Sequence, residues 1–175
     1  QSDVSAHYIF NPEDLSWTNG PAVPTARNSA CAVNTNGNLH TIGGRTVAGG
    51  NLASHEAYDF DSGKWQTLAP LPAAQGGLAC AVSGEHIYVF GGEYFDDGGG
   101  VYSDVWEYDI ANDKWQSVSQ MPNPRHGLGA LSIDGSIYVI AGASQAAYEL
   151  PAKPARITRA ASVGFLRVFI RFSPS

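Results

Sequence analysis

The sequence predicts an all-β protein made of four-stranded antiparallel units, because a block of about fifty residues recurs along it. A doublet of small residues and a tryptophan mark each copy, and both markers are separated by 48 and then 50 residues. The doublets are Gly43-Gly44, Gly91-Gly92 and Ala141-Gly142, and the tryptophans are Trp17, Trp65 and Trp115. A unit of this length cannot bury its apolar faces alone, so successive copies must stack.

The middle copy predicts four short strands. Residues 77–82 are small and apolar and end at a polar turn, and residues 87–90 are β-branched or aromatic and end at the second doublet. Apolar and polar residues then alternate over 104–109, as in a half-buried strand, and a further turn leads to 115–118. Four short antiparallel strands joined by tight turns form one blade of a β-propeller.

The neighbouring copies follow the same plan. Residues 58–65 match residues 108–115 position for position, and residues 10–17 are a third version. An aromatic residue precedes each tryptophan by seven positions. We therefore expect the aromatic residue and the tryptophan to lie on the paired strands of one hairpin.

As a set, these motifs resemble the kelch repeat over roughly residues 8–145. The doublet after a hydrophobic strand, the Tyr-Asp pair downstream and the tryptophan at fixed spacing carry the resemblance. It implies a partial kelch β-propeller of four-stranded antiparallel blades, related to the galactose oxidase and kelch superfamily. Ala141-Gly142 in place of the glycine doublet, and Gln75 where the other copies carry arginine, depart from the pattern.

The repeats divide the chain into about three blade-equivalents. Residues 1–24 supply the last two strands of an incomplete blade, 25–72 and 73–122 are complete kelch blades, and 123–145 supply the first two strands of another. Propellers usually have about four to eight blades. We therefore expect either a fragment of a longer propeller or a homodimer that completes a six-blade ring.

Residues 146–175 form an atypical basic and apolar tail without the repeat markers. Up to residue 145 five basic residues stand against fifteen acidic ones, whereas the rest has five basic residues and one acidic residue. Three interpretations stay open for the tail: a strand that completes the last blade, a segment that docks elsewhere, or sequence from a rearranged reading frame. The acidic body argues against a nucleic-acid partner.

Targeting signals do not fix the compartment. A run of eighteen apolar residues is missing, so we expect no membrane span and a soluble protein. The chain begins at Gln1, which indicates a processed or truncated start, and a secreted or periplasmic location is one alternative.

The two cysteines, Cys31 and Cys80, lie in similar Ala-Cys-Ala-Val contexts on the inner strands of adjacent blades. A disulfide needs Cα atoms within about 7 Å of each other. We expect this distance to be exceeded between blades, so both residues are interpreted as buried, unbonded thiols.

Blade topology sorts the polar residues onto two faces. The turns within hairpins open on one face, and we expect their polar residues to be there because they form tight turns. The long loops 45–55 and 93–103 open on the other face, around the central channel entrance, where repeat scaffolds bind ligands. The expected ligand-binding residues on this face are Arg27, Arg45, Glu93, Arg125 and His126. Because Arg27 and Arg125 recur with the repeat, the alternative is that they tie adjacent blades together.

We expect a non-catalytic module that binds a protein or carbohydrate, with no metal and no cofactor. The loop containing Asp96 and Asp97 lacks the ligand spacing of a calcium loop. The five histidines, His7, His40, His55, His86 and His126, show no pairing at metal-ligand spacing.

The resemblance also implies enzymatic alternatives. A galactose oxidase-like enzyme needs a copper site with Tyr and His ligands and a Cys–Tyr cross-link, and the sequence offers no such set. A sialic acid mutarotase-like activity needs an acid/base pair such as Glu93 with a channel arginine.

Overall fold

A computed structural model describes residues 3–146 of the chain. The expectations for the tail beyond residue 146 lie outside the described residues. Sixteen strands and one turn of 3₁₀ helix (Asp96–Gly98) make up the described part. The strands are β1 (His7–Asn11), β2 (Ser16–Gly20), β3 (Cys31–Thr35), β4 (Asn38–Ile42), β5 (Arg45–Thr46), β6 (Gly50–Asn51), β7 (His55–Asp59), β8 (Lys64–Thr67), β9 (Ala79–Ser83), β10 (His86–Phe90), β11 (Glu93–Tyr94), β12 (Gly100–Val101), β13 (Asp104–Asp109), β14 (Lys114–Gln120), β15 (Gly129–Ile133) and β16 (Ser136–Ile140).

The strands form two complete blades flanked by two half-blades. The first complete blade has the strand order β3-β4-β7-β8, the second has β9-β10-β13-β14, and all pairs are antiparallel. The hairpins β1-β2 and β15-β16 are the half-blades. The expected fold class, an all-β partial propeller of about three blade-equivalents, is therefore confirmed. No helix in the described part is long and apolar enough to cross a membrane.

The aromatic residue and tryptophan of each hairpin face each other across the strand pair. Phe10 pairs with Trp17, Tyr58 with Trp65 and Tyr108 with Trp115 in the backbone register. The expectation from the seven-residue spacing is confirmed. Directly opposed aromatic side chains stabilise an antiparallel pair by roughly 0.2–1 kcal/mol.

The glycine doublets allow the chain to turn where two blades meet. Gly43 and Gly91 have φ values of 62° and 63°, in the left-handed region that glycine adopts without strain. A Cβ on Gly43 would also lie 2.7 Å from the carbonyl oxygen of Gln75 in the next blade. The doublet thus permits both the turn and the close approach. Ala141 adopts φ 58° at the equivalent position of the last copy, where an L side chain is disfavoured.

The main core lies between the two complete blades. Its buried members are Cys31, Ile42, Leu71, Leu78, Cys80, Ile87, Val89 and Tyr108. They come from both sheets, so each blade buries one apolar face against the other. A second cluster of Phe90, Val105 and Met121 packs against residues of the half-blade β15-β16.

The expectation that Cys31 and Cys80 are unbonded thiols is wrong: they form a disulfide, with Cα atoms 5.9 Å apart. The reason is a one-residue offset. Cys31 pairs with Ile42 and the equivalent residue Ala79 pairs with Phe90, so Cys80 lies one position further along its strand. Successive residues of a strand point to opposite faces of the sheet. The offset therefore turns the two sulfur atoms toward each other between the blades.

A repeated hydrogen-bond arrangement ties neighbouring blades at their outer strands. The carbonyl oxygen of Ala69 lies 2.8 Å from Trp115 Nε1 of the second blade and 3.3 Å from His55 Nδ1 of the first. One repeat earlier the carbonyl oxygen of Pro21 accepts a hydrogen bond from the Trp65 indole N–H at 2.9 Å and lies 3.3 Å from His7 Nδ1. The tryptophans thus position the blades as well as filling space.

Candidate binding site between the blades

The residue after each doublet pairs with a residue three positions before the inner strand of its own blade. Arg45 exchanges two backbone hydrogen bonds with Asn28, at 2.8 and 2.9 Å. Glu93 forms an isolated antiparallel bridge with Gly76, and Ala143 forms one with His126. Because the same position recurs in adjacent blades, these side chains lie side by side on one face, which we call the doublet face.

Three charged or polar side chains from successive blades meet on the doublet face. Arg45 Nη2 lies 2.7 Å from Glu93 Oε1, and His126 Nδ1 lies 3.4 Å from the same oxygen. Glu93 is only 1% exposed. A carboxylate removed from water is stabilised by a charged partner, and the Arg45 guanidinium supplies that charge. The structure thus brings together three of the five residues expected to bind a ligand.

An open cleft of about 490 Å³ lies beside the Arg45–Glu93 pair. Its lining residues are Asn28, Ser29, Arg45, Thr46, Val47, Gly50, Glu93 and Phe95. The guanidinium carbon of Arg45 lies 5.2 Å from the centre of the Phe95 ring, within the range of a cation–π contact. Arg45 is therefore held from two sides, by a carboxylate and by an aromatic ring.

The short hairpins β5-β6 and β11-β12 form the two walls of the cleft, where long loops were expected. Asn51 of the first hairpin donates to the carbonyl oxygen of Glu93 in the second, at 2.5 Å. Gly76 leaves room between them, because a Cβ at this position would lie 3.3 Å from Arg45 Nε and 2.8 Å from Asn51 Oδ1. The missing side chain at Gly76 allows Arg45 to reach the next blade.

Arg27 lies apart from the cleft in a buried network. Its guanidinium donates to the Glu56 carboxylate, to the Gly43 carbonyl oxygen at 3.0 Å and to the Thr25 carbonyl oxygen at 3.1 Å. Thr25 also donates its hydroxyl to Glu56, at 2.6 Å. Burial lowers the pKa of Arg27, and the charge of Glu56 opposes that shift. All these partners lie in the first complete blade, so the hydrogen bonds of Arg27 tie strands of one blade together and do not support the alternative that it ties adjacent blades.

Arg125 repeats part of the Arg27 arrangement. It donates to the carbonyl oxygens of Asn123, at 3.0 Å, and of Ala141, at 3.3 Å, which are the equivalents of Thr25 and Gly43. Neither Arg27 nor Arg125 lines the cleft. The ligand-binding role expected for both residues stays a prediction, as it does for Arg45, Glu93 and His126.

Sequence reasoning missed Asn28, Ser29 and Phe95 as cleft residues. Asn28 precedes the inner strand at the position that His126 occupies two repeats later, so the register offered a signal for it. The Asn28 amide and the Val47 backbone N–H both donate to the carboxylate of Asp3, at 2.8 Å each. Phe95 lies in the loop 93–103 that was expected on this face, but its sequence context does not single it out within that loop.

Two of the five histidines lie side by side in the core between the complete blades. His40 Nδ1 and His55 Nε2 lie 2.9 Å apart, and the His55 ring packs edge-on against Tyr108. Burial and the nearby His40 lower the pKa of His55 to about 4, and burial lowers the pKa of His40. Among residues 3–146 no group of three or more His, Cys, Asp or Glu side chains is arranged to hold a metal ion.

Comparison with known proteins places the chain among repeat propellers. The family model of the KLHDC2/KLHL20/DRC7 Kelch-repeats domain matches residues 1–151. A solved structure titled "Structure of YjhT" superposes with a TM-score of 0.72 at 20% identity, over 80% of this chain and 46% of that chain. At this identity the likeness concerns the fold.

Several curated proteins share part of the sequence. Kelch-like protein terF of Aspergillus terreus is 32% identical over 95 residues, which are 53% of this chain and 21% of that protein. Alpha-scruin of Limulus polyphemus is 28% identical over 49% of this chain and 9% of its own length. Kelch-like protein 38 of Mus musculus is 34% identical over 49% of this chain and 15% of its length. The match thus spans less than a quarter of each relative. With the repeat register, the blade topology and the family match in agreement, the chain belongs to the kelch-repeat family.

Proposed function

We propose that this chain is a non-catalytic binding module that recognises a protein partner through the cleft on the doublet face. The observation that supports the proposal is the convergence of side chains from successive blades on an open cleft. Arg45 presents a guanidinium beside the exposed ring of Phe95, and arginine and aromatic residues are enriched where protein partners bind. Membership of the kelch family is consistent with this role.

A peptide selection tests the proposal. A random peptide library is selected on the wild-type chain, and the enriched peptides are measured against Thr46→Arg, which fills the cleft, and Arg45→Ala, which removes its cation. We expect both variants to lose about tenfold or more in affinity. Lys64→Ala, which removes an exposed cation at the start of β8, is the matched control and should bind normally. Enriched peptides that bind all four proteins equally would place recognition outside the cleft.

Carbohydrate is the second candidate ligand, favoured by the Phe95 ring, which is half-exposed beside the polar groups of the cleft. An aromatic face next to hydrogen-bonding groups suits the apolar face and hydroxyls of a sugar. A glycan array with Arg45→Ala and Glu93→Ala decides between the ligands. Specific glycan binding that both substitutions abolish would favour a sugar over a protein partner.

The enzymatic alternative rests on the contact between Glu93 and His126, which brings a carboxylate and an imidazole to 3.4 Å at the doublet face. Sugar anomer exchange monitored by NMR tests a mutarotase-like activity, with Glu93→Gln as the control. Exchange above the uncatalysed rate that Glu93→Gln abolishes would replace the binding proposal. A galactose oxidase-like centre lacks its Cys–Tyr cross-link, since Cys31 and Cys80 are bonded to each other.

A homodimer that completes a six-blade ring is a further proposal. Phe10 on β1 is 43% exposed, whereas its equivalent Tyr108 in a complete blade is 1% exposed. Pairing of β1 with β16 of a second copy would bury Phe10 in the same way. Sedimentation equilibrium should then give twice the chain mass of 18.5 kDa, and a monomer at micromolar concentration would contradict the ring.

A further inference from the structure

The disulfide joins the two chain segments that carry the cleft. Asn28 and Ser29 line the cleft, and the chain continues from them directly to Cys31. In the next blade Gly76, which pairs with Glu93, leads in the same way to Cys80. The disulfide therefore connects the segment that pairs with Arg45 to the segment that pairs with Glu93.

The same two blades are also joined by backbone hydrogen bonds. The Gly44 N–H donates to the Gln75 carbonyl oxygen at 2.8 Å, and the Gly77 N–H donates to the Ser29 carbonyl oxygen at 2.9 Å. We call this junction between the first and second complete blades the bridged seam. It includes these two backbone bonds, a third from the Gln75 N–H to the Leu52 carbonyl oxygen at 3.1 Å, the Arg45–Glu93 ion pair and the disulfide.

The next junction has counterparts of the Gly44 and Gly77 bonds and no disulfide. The Gly92 N–H donates to the Arg125 carbonyl oxygen at 3.0 Å, and the Gly127 N–H donates to the Gly77 carbonyl oxygen at 2.7 Å. We call this junction between the second complete blade and the half-blade β15-β16 the unbridged seam. Reduction removes no bond from the unbridged seam, which therefore serves as an internal reference for the effect of reduction on the bridged seam.

The reduced state is compatible with the same core. Cys31 and Cys80 are 9% and 7% exposed and lie among aliphatic residues and Tyr108. An unpaired cysteine behaves as a small hydrophobic residue, so two thiols can occupy this space without burying a charge. Reduction removes the bond between the blades and leaves the apolar contacts on both sides in place.

We propose that Cys31–Cys80 is a redox-sensitive clasp that holds the Arg45–Glu93 pair together, so that its reduction loosens the bridged seam and the cleft. The consequence for ligand binding rests on the proposed function, whereas the loosening of the seam does not. In an oxidising compartment the clasp stays closed, and in a reducing one a dithiol opens it.

The redox step is thiol–disulfide exchange. A dithiol attacks one sulfur of the Cys31–Cys80 bond as a thiolate, which breaks the bond, releases the other cysteine as a thiolate and forms a mixed disulfide. The second thiol then attacks the dithiol's own sulfur in the mixed disulfide and releases the first cysteine. The protein gains two electrons and two protons, and the dithiol becomes a disulfide. Because both sulfurs are buried, we expect reduction to follow transient opening of the seam.

Hydrogen exchange on the full chain tests the clasp. The oxidised chain, the chain reduced with dithiothreitol, and the double variant Cys31→Ala with Cys80→Ala are compared amide by amide. We expect Gly44 and Gly77 in the bridged seam to exchange about tenfold faster or more without the disulfide. The amides of Gly92 and Gly127 in the unbridged seam should change little.

Chemical modification of arginine gives a second measurement. Phenylglyoxal reacts with accessible guanidinium groups, and mass spectrometry reports the rate for each arginine. We expect reduction to raise the rate at Arg45 several-fold, because its contact with Glu93 spans the bridged seam. Arg125 should keep its rate, because its hydrogen bonds to the Asn123 and Ala141 carbonyl oxygens do not cross the bridged seam.

The outcomes are distinct. Faster exchange confined to the bridged seam supports the clasp. An equal rise at all four amides, which means global unfolding, or no change at any of them overturns it. Two free thiols in the air-oxidised chain also overturn it. A selective response at the seam together with failure of the peptide selection would keep the clasp and reject the proposed function.

Discussion

At the scale of single residues, His55 shows how the packing between blades creates sensitivity to acid. The ring is fully buried, packs against Tyr108 and Trp115, and lies between His40 and the Ala69 carbonyl oxygen. If His55 Nδ1–H donates to Ala69, its Nε2 accepts from His40, and His40 Nε2 is left buried without a hydrogen-bond partner in the described structure. A proton added to either ring therefore has no acceptor.

Stability should fall when the solution is acidified. The folded-state pKa of His55, about 4, lies below the unfolded value of 6.5. Between these values the unfolded chain binds a proton that the folded chain does not, so stability is full above pH 6.5 and decreases as the pH falls toward 4. The expected slope is about 1.4 kcal/mol per pH unit for this histidine. Urea unfolding between pH 7 and 4.5 measures it.

His55→Gln should reduce this slope, because glutamine does not titrate. His86→Gln, at the half-buried start of β10, is the matched control and should keep the slope of the wild type. Equal slopes of the free energy of unfolding against pH in the wild type and both variants would show that protonation of other groups causes the loss of stability.

At the scale of elements, the two complete blades bury different side chains at equivalent positions. Where the first blade has Arg27 and Glu56, the second has Gln75 and Trp106, as the repeat register shows. The buried amide of Gln75 and the indole N–H of Trp106 have no hydrogen-bond partner in the described structure. One blade therefore uses a charged pair at positions where the other uses neutral groups.

An exchange between blades tests whether each pair acts as a unit. Glu56→Gln alone should lower the free energy of unfolding by about 3 kcal/mol, because Arg27 keeps a buried charge without its partner. Arg27→Gln combined with Glu56→Trp, the residues of the second blade, should cost clearly less than the sum of the two single changes. Urea unfolding of the wild type, Arg27→Gln, Glu56→Trp and the double variant gives the coupling energy. Strictly additive costs would show that the two residues do not act as a unit.

The strands could largely be predicted from sequence, and the contacts between blades could not. Within a blade the period-two pattern and the turn residues fix each strand, as for Tyr108 and Trp115. The cleft depends on side chains from adjacent blades, such as Arg45 and Glu93, which are distant in sequence. The disulfide was missed although a signal existed. The cysteines are separated by 49 residues and the doublets by 48, and this difference of one reverses the face to which a side chain points.

At the scale of the whole molecule, the disulfide closes a long loop that contains an entire blade. The sequence separation of 49 residues means that the bond strongly restricts the unfolded chain. In the chain-entropy description a loop of this length corresponds to about 4 kcal/mol. The bond is thus a large share of the roughly 5–15 kcal/mol that stabilises an ordinary domain.

Removal of the bond should therefore lower global stability. Cys31→Ala with Cys80→Ala is expected to lose about 4 kcal/mol in the free energy of unfolding, measured in urea at pH 7. The reduced wild-type chain should lose a similar amount, since both lack the bond. A loss below about 1 kcal/mol in both would mean that the denatured chain is not restricted by the bond.

The contrast between the two seams has a mechanical consequence. Force applied to the chain ends acts on the unbridged seam through backbone bonds and side-chain packing, whereas at the bridged seam a covalent bond resists separation. The half-blades β1-β2 and β15-β16, which the disulfide does not join, should separate first. The segment between Cys31 and Cys80 should bear no force and stay unextended until the disulfide is reduced. Extended length under tension would then report the redox state of the molecule.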